Sequence, residues 1–94
     1  MPYVRKPSEP AGPCHDLLVA LYELHLHAGK PSTRAIARLT GHAISHDTVN
    51  RVLRGGDLPR WVPLELVVKA LNGDVEAFRA LWVSAQRAQE QGSG

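Results

Sequence analysis

The chain has 94 residues, which is enough for one domain around a single hydrophobic core. Apolar residues make up 44% of it, so the composition excludes wholesale disorder, and its one cysteine, Cys14, excludes both a disulfide framework and a zinc site built from cysteines. The formal net charge of +2 is too small to indicate a nucleic-acid partner unless the charges are concentrated in one region.

The sequence contains no segment that predicts a membrane location. No apolar run approaches the ~20 residues that a membrane-spanning helix needs, and the N-terminal residues lack the apolar centre of a secretory signal peptide. A single cysteine fits a reducing compartment. We therefore expect a cytoplasmic protein without a membrane partner.

The N-terminal 14 residues contain four prolines and one glycine, which disfavours a helix and leaves little to bury. We predict a disordered, flexible N-terminal arm over residues 1–14, a folded domain over residues 15–90, and a linker or tail over residues 91–94. Arg5 and Lys6 could enter a minor groove from such an arm. A plain disordered terminus is the favoured interpretation.

The first helical pattern begins near residue 15 and ends at Ala28, before Gly29. Its predicted core positions follow the helical spacing: Leu17, Leu21, Leu24 and Ala28. The opposite side also carries apolar residues: Val19, Tyr22 and Leu26. We expect the C-terminal helix to cover these three, and the alternative is that they form a contact surface for a protein partner.

Residues 33–39 form a second, short helical pattern that carries Ile36, Ala37 and Leu39. Ser32 is suited to cap its start, and Thr40-Gly41 stops it. A third pattern follows after a turn, with Ser45 as its predicted cap. Two short helices joined by a glycine-containing turn are the sequence outline of a helix-turn-helix.

The third helical pattern has an apolar side and a polar side. At about 3.6 residues per turn, one arc collects Val49, Val52 and Leu53. The other arc collects Asp47, Asn50, Arg51 and Arg54. Arginine can bind guanine, aspartate can accept from cytosine and asparagine can pair with adenine. A plainer interpretation of Asp47 and Arg51 is an ion pair four residues apart, worth about 0.2–0.5 kcal/mol.

Positive charge is concentrated around these two helices. Residues 33–60 carry a net charge of +3, and the rest of the chain sums to −1. All the basic residues in that region are arginines, which suit forked contacts to phosphate and guanine: Arg34, Arg38, Arg51, Arg54 and Arg60. A solvated, arginine-rich face is the competing interpretation.

Two further helices are predicted after a turn at Gly55-Gly56-Asp57. The fourth has Pro63 in its first turn and a core stripe of Leu64, Val67, Val68 and Leu71. Asn72-Gly73 stops it, and Asp74 is suited to cap the fifth. The fifth has a stripe of Phe78, Leu81, Trp82 and Ala85. The fold class is therefore predicted to be all-α, with five helices.

From about Leu17 to Ala85 the chain resembles the lambda-repressor-like (Cro/C1, Xre-type) helix-turn-helix family. The resemblance is carried by Ala37, Thr40-Gly41, Val49 and Leu53, and by the stretches LRGGDLPRW and ELVVKALNGDVEAFRALW, which resemble a bacterial regulator subgroup with a Leu-Pro pair and a final Trp. The turn differs from the family pattern: eight positions separate Gly41 from Val49 instead of six, which indicates two extra residues within His42-Ala43.

The resemblance implies a sequence-specific double-stranded DNA-binding transcription regulator with its third helix, about residues 45–54, in the major groove. The predicted base-reading residues are His46, Asp47, Asn50 and Arg51. The predicted phosphate contacts are Thr33, Arg34, Arg38, Ser45, Arg54 and Arg60. A homodimer on two half-sites would raise specificity, although no dimer seam is evident. The alternative is a protein-interaction module, within this or a longer protein, that retains the helix-turn-helix fold.

No pattern predicts catalysis, a cofactor or a metal. His25 and His27 are two residues apart on a helix and point to different sides, so they are expected to be a half-buried and a surface histidine. Cys14 lies in the predicted arm, and no motif activates a nucleophile or cradles a phosphate. We therefore expect a protein that is not an enzyme.

Overall fold

The structure, a computed structural model, describes residues 12–54 and 58–92, and these residues form α-helices without any β-strand. The helices are α1 (Pro13–His27), α2 (Thr33–Leu39), α3 (His46–Arg54), α4 (Trp61–Ala70) and α5 (Val75–Gly92). The all-α prediction is confirmed. No helix among the described residues has the length and apolar character needed to cross a bilayer.

The helix ends differ from the predicted domain limits by about two residues. Helix α1 begins at Pro13, inside the predicted arm, because proline suits the first helical position, whose N–H would have no intrahelical acceptor. Helix α5 continues to Gly92, inside the predicted tail. The predictions for residues 1–11, for the turn at residues 55–57 and for residues 93–94 lie outside the described residues.

Three predicted N-terminal caps are confirmed. In each, a side-chain oxygen accepts a hydrogen bond from the backbone N–H three residues later: at 3.1 Å for Ser32, 3.2 Å for Ser45 and 3.2 Å for Asp74. Such caps typically contribute about 1 kcal/mol each. They fix where α2, α3 and α5 begin.

Helices α1, α2 and α4 end in the same hydrogen-bonded motif, in which the chain turns through a left-handed residue. The first left-handed residue is Gly29 (φ 91°), Gly41 (φ 69°) or Asn72 (φ 60°), and after α1 and α2 the next residue, Lys30 (φ 53°) or His42 (φ 62°), is left-handed too. After α2, the Gly41 N–H donates to the Arg38 carbonyl at 2.9 Å, and the His42 N–H donates to the Ala37 carbonyl at 3.0 Å. The turn that leads to α3 is therefore held by backbone bonds.

The core lies between all five helices. Its buried apolar residues are Leu17, Leu21, Ile36, Ala37, Val49, Val52, Leu53, Leu64, Val67, Val68, Leu71, Phe78 and Ala85. The predicted stripes of α3 and α4 are thus confirmed in full, while Leu81 and Trp82 on α5 are partly buried against this core. Helix α5 packs along α1 and α4, and α2 and α3 pack against each other and against α4. This arrangement leaves the polar face of α3 uncovered.

The burial of several residues differs from what the sequence patterns suggest. Leu39 is 63% exposed and Ala28 is also exposed, although both were assigned to apolar patterns. Helix α5 packs along α1 but leaves Leu26 44% exposed, so the expected cover over Val19, Tyr22 and Leu26 is incomplete. Val19 and Tyr22 are half-buried. His25, expected to be half-buried, is only 6% exposed.

His25 ties the end of α1 to the start of α2. Its Nε2 lies 2.9 Å from the carbonyl oxygen of Pro31 and must be the protonated nitrogen, since a carbonyl only accepts hydrogen bonds. The other ring nitrogen, Nδ1, is buried without a hydrogen-bond partner. His25 lies four residues after Leu21 and eight after Leu17, on the same side of α1 as these core leucines.

Candidate nucleic-acid interface

Helix α3 separates its apolar and polar residues sharply. Val49 is fully buried and Val52 and Leu53 nearly so, which fixes the rotation of the helix about its axis. On the other side Asp47, Arg51 and Arg54 are exposed and Asn50 is half-buried. The burial of one side therefore turns the predicted base-reading side outward.

Asp47 does not form the ion pair with Arg51 that its spacing allowed. Its Oδ1 lies 3.6 Å from Nδ1 of the neighbouring His46 instead. Asp47 and His46 are both accessible at the start of α3, with side chains 79% and 42% exposed. The Arg51 guanidinium is therefore left without the carboxylate that could have neutralised it.

Within the described residues, none of the five arginines of residues 33–60 has a carboxylate partner. All are exposed: Arg34, Arg38, Arg51, Arg54 and Arg60. The ion pairs within residues 12–54 and 58–92 join His27 to Glu23, His46 to Asp47 and Lys69 to Glu65, so they involve none of these arginines. Exposed guanidinium groups without carboxylate partners attract anions.

A cleft of about 430 Å³ between α3 and the start of α4 brings three of these arginines together. Its lining comprises Thr48, Arg51, Val52, Arg54, Leu58, Pro59, Arg60 and Pro63. Arg60 also occupies the N-cap position of α4, where no side chain caps the helix. Because the free N–H groups of a helix start carry partial positive charge, the helix adds to the charge of the three side chains.

The remaining predicted phosphate contacts lie outside that cleft. Thr33 is half-buried at the first position of α2, and Arg34 and Arg38 are exposed on the same helix. The Ser45 hydroxyl is engaged at the start of α3, where it accepts from the Thr48 N–H and lies 3.2 Å from the Thr48 hydroxyl. The structure thus gathers Arg51, Arg54 and Arg60 but leaves the α2 arginines separate.

One feature beside the cleft was not predicted from the sequence. The indole Nε1–H of Trp82 on α5 donates to the carbonyl oxygen of Pro59 at 2.8 Å. The rings of Trp61 and Trp82 have centroids 5.9 Å apart and are tilted by 52°, and the Arg79 guanidinium lies 4.8 Å from the Trp61 centroid and 5.7 Å from that of Trp82. We call Trp61, Arg79 and Trp82 the aromatic cluster.

Within the described residues, no group of three or more His, Cys, Asp or Glu side chains is placed to hold a metal ion. Comparison of the chain with models of known protein families, with curated proteins and with solved structures gives no match. What the interface can bind must therefore be inferred from its own residues.

Proposed function

We propose that the protein binds double-stranded DNA in a sequence-specific way and acts as a transcription regulator, with α2, the turn at Gly41 and α3 forming a lambda-repressor-like helix-turn-helix. The observation that carries this proposal is the cleft in which Arg51, Arg54 and Arg60 meet beside the polar face of α3. DNA is a regular array of anions next to base edges, and this surface offers cations next to polar side chains.

The dimensions of α3 suit the major groove. A helix with its side chains is about 10–12 Å wide, and the groove is about 12 Å wide. Val49 anchors α3 to the core from the side opposite its exposed residues, so the helix can enter a groove without losing its packing. The base-reading residues in this arrangement are His46, Asp47, Asn50 and Arg51.

The arginines divide into two roles. Arg51 points outward from the middle of α3 and would fork onto a guanine, whereas Arg54 and Arg60 would bind backbone phosphates on either side of the cleft. Arg34 and Arg38 would bind the backbone along α2, with Thr33 and Ser45 nearby. Phosphate contacts supply affinity and register, and the contacts from α3 supply the choice of sequence.

Asp47 favours selectivity over affinity. At the preferred sequence, an exposed carboxylate on the base-reading face accepts a hydrogen bond from the amino group of a cytosine. On other sequences it finds no such donor and repels the backbone phosphates. Its neighbour His46, at 3.6 Å, can share in that contact. This pair predicts weak binding to unselected DNA and a larger gain on the preferred sequence.

The proposal is tested by Arg51→Ala, compared with wild type on a duplex selected from a random-sequence pool. We expect the dissociation constant to rise at least fivefold, because a bidentate arginine–guanine contact is worth about 1–3 kcal/mol. The measurement is fluorescence anisotropy at fixed salt.

Arg87→Ala is the matched control, since it removes the same charge from an exposed position on α5, which packs on α1 and α4 rather than on α3. We expect it to change the dissociation constant less than twofold, as befits a distant surface charge at moderate salt. Equal effects of the two substitutions would reject a reading role for α3.

A second candidate, docking of a protein partner, is favoured by a different surface. A cleft of about 500 Å³ lies where α1, α2 and α4 end, and its lining includes Leu24, Leu39 and Leu71. Leu39 is 63% exposed there. Apolar docking at this surface would depend little on salt, which separates it from DNA binding.

A further inference from the structure

We propose that Trp82, on the C-terminal helix, is a positioning residue for DNA binding, because it fixes the segment that carries Arg60. This inference rests on the proposed function. Trp82 lies 23 residues beyond Pro59 in the chain, and neither its spacing nor its type marks it as part of a DNA-binding face. Its action is indirect, through the backbone on both sides of Arg60.

The hydrogen bond to Pro59 holds one side of Arg60. The Trp82 Nε1–H reaches the Pro59 carbonyl oxygen at 2.8 Å, which is a short distance for this type of bond. That carbonyl belongs to the planar peptide group whose nitrogen is Arg60 N. Fixing the carbonyl therefore fixes the orientation of the peptide from which the Arg60 side chain departs.

The aromatic cluster holds the other side. Trp61 is the residue after Arg60 and the first residue of α4, and its ring packs against that of Trp82 with a centroid distance of 5.9 Å. The Arg79 guanidinium lies over both rings, at 4.8 and 5.7 Å from their centroids. Cations over indole rings stabilise such clusters. Arg60 is thus placed between two residues that α5 immobilises.

Two members of the aromatic cluster, Arg79 and Trp82, lie on α5, and α5 is itself anchored in the core. Phe78 and Ala85, four before and three after Trp82 on the helical spacing, are buried. Arg60 has an extended backbone, with φ −69° and ψ 153°, and its side chain lines the cleft with Arg51 and Arg54. Because this segment is already ordered in the free protein, it loses less conformational entropy when DNA binds.

The test is a double-mutant cycle on the selected duplex with Trp82→Phe and Arg60→Ala. Trp82→Phe keeps an aromatic ring but removes the hydrogen bond to Pro59. We expect Trp82→Phe to raise the dissociation constant about fivefold in the wild-type background, in line with the loss of one partly buried hydrogen bond. In the Arg60→Ala background we expect less than a twofold effect, because the contact that Trp82 positions is already gone.

A merely structural role of Trp82 would not produce this coupling. Leu24→Ala serves as the control for lost stability, since Leu24 is partly buried against the core on α1. We expect it to lower the melting temperature while leaving the dissociation constant unchanged well below that temperature. If Trp82→Phe fails to fold, Arg79→Ala replaces it and is compared with Arg87→Ala, which removes an equal charge. We expect Arg79→Ala to raise the dissociation constant about threefold in the wild-type background and to have no effect in the Arg60→Ala background.

The positioning role would be overturned if the fold-changes in the dissociation constant caused by Trp82→Phe and Arg60→Ala simply multiplied in the double variant. A Trp82→Phe protein with wild-type affinity would overturn it too. In both cases the proposed function would stand. Wild-type protein that shows no salt-sensitive binding to the duplex would reject the proposed function, and the positioning role with it. The two failures are distinguished by the wild-type titration alone.

Discussion

Val49→Asp is expected to unfold the domain, whereas Arg51→Asp, two residues later on the same helix, is expected to leave it folded. Val49 is fully buried at the centre of the α3 contact with the core, and Arg51 is exposed. Burying a carboxylate without a partner costs about 4–5 kcal/mol or more, which approaches the total stability of a small domain. Arg51→Asp places the same side chain in water.

The measurement is far-ultraviolet circular dichroism with thermal unfolding of both variants and wild type. We expect a helical spectrum and a cooperative transition for Arg51→Asp, and neither for Val49→Asp. A folded Val49→Asp protein of wild-type melting temperature would show that α3 does not pack through this side. The assignment of Arg51 to an outward, DNA-facing side would then be lost as well.

DNA binding is expected to weaken steeply as salt rises. If four to six phosphates are neutralised by the arginines of α2, α3 and the start of α4, the dissociation constant should rise by about 10²–10³-fold between 50 and 200 mM monovalent salt. The reason is the release of counterions condensed on the duplex. Arg60→Ala is expected to reduce the slope of log K against log salt by about one, while Arg87→Ala leaves it unchanged.

The salt titration also separates the two candidate functions. A protein partner that docks on the apolar cleft near Leu39 would keep its affinity over the same range. A shallow slope for wild-type protein on the selected duplex, equivalent to fewer than two phosphates, would contradict the role given to the five arginines.

The helices and their caps were predictable because their signals are local. Ser32, Ser45 and Asp74 each cap the helix that the apolar spacing predicts, and the stripes on α3 and α4 are long enough for the helical period to identify the buried side. Such patterns depend only on neighbours within one or two turns. The predicted outward side of α3 follows from the same period.

The errors arise where local pattern and tertiary contact differ. Helix α2 has only seven residues, so its apolar positions do not define one side, and Leu39 lies at an open cleft. His25 follows the core spacing of Leu17 and Leu21 but is polar, and its hydrogen bond to the distant Pro31 carbonyl, which no helical spacing indicates, compensates in part for its burial. The limited cover over Leu26 depends on how α5 crosses α1, which no local signal determines.

The candidate site was predicted in part for the same reason. The individual arginines could be identified from charge and helical phase, whereas their meeting in one cleft depends on the packing of α3 against α4. The bond between Trp82 and Pro59 joins residues 23 apart in sequence. The family resemblance includes the Leu-Pro pair and the final Trp as separate sequence features. Only the fold shows that Pro59 and Trp82 are in contact.

The central claim, that DNA meets the polar face of α3 and the start of α4, is tested most directly by mapping amide chemical-shift changes in ¹⁵N-labelled protein as the selected duplex is added. We expect the largest changes along residues 46–54 and at Arg60 and Trp61, with little change around Leu26 and Leu39. Changes confined to Leu26, Leu39 and their neighbours, or no changes at low salt, would contradict the claim.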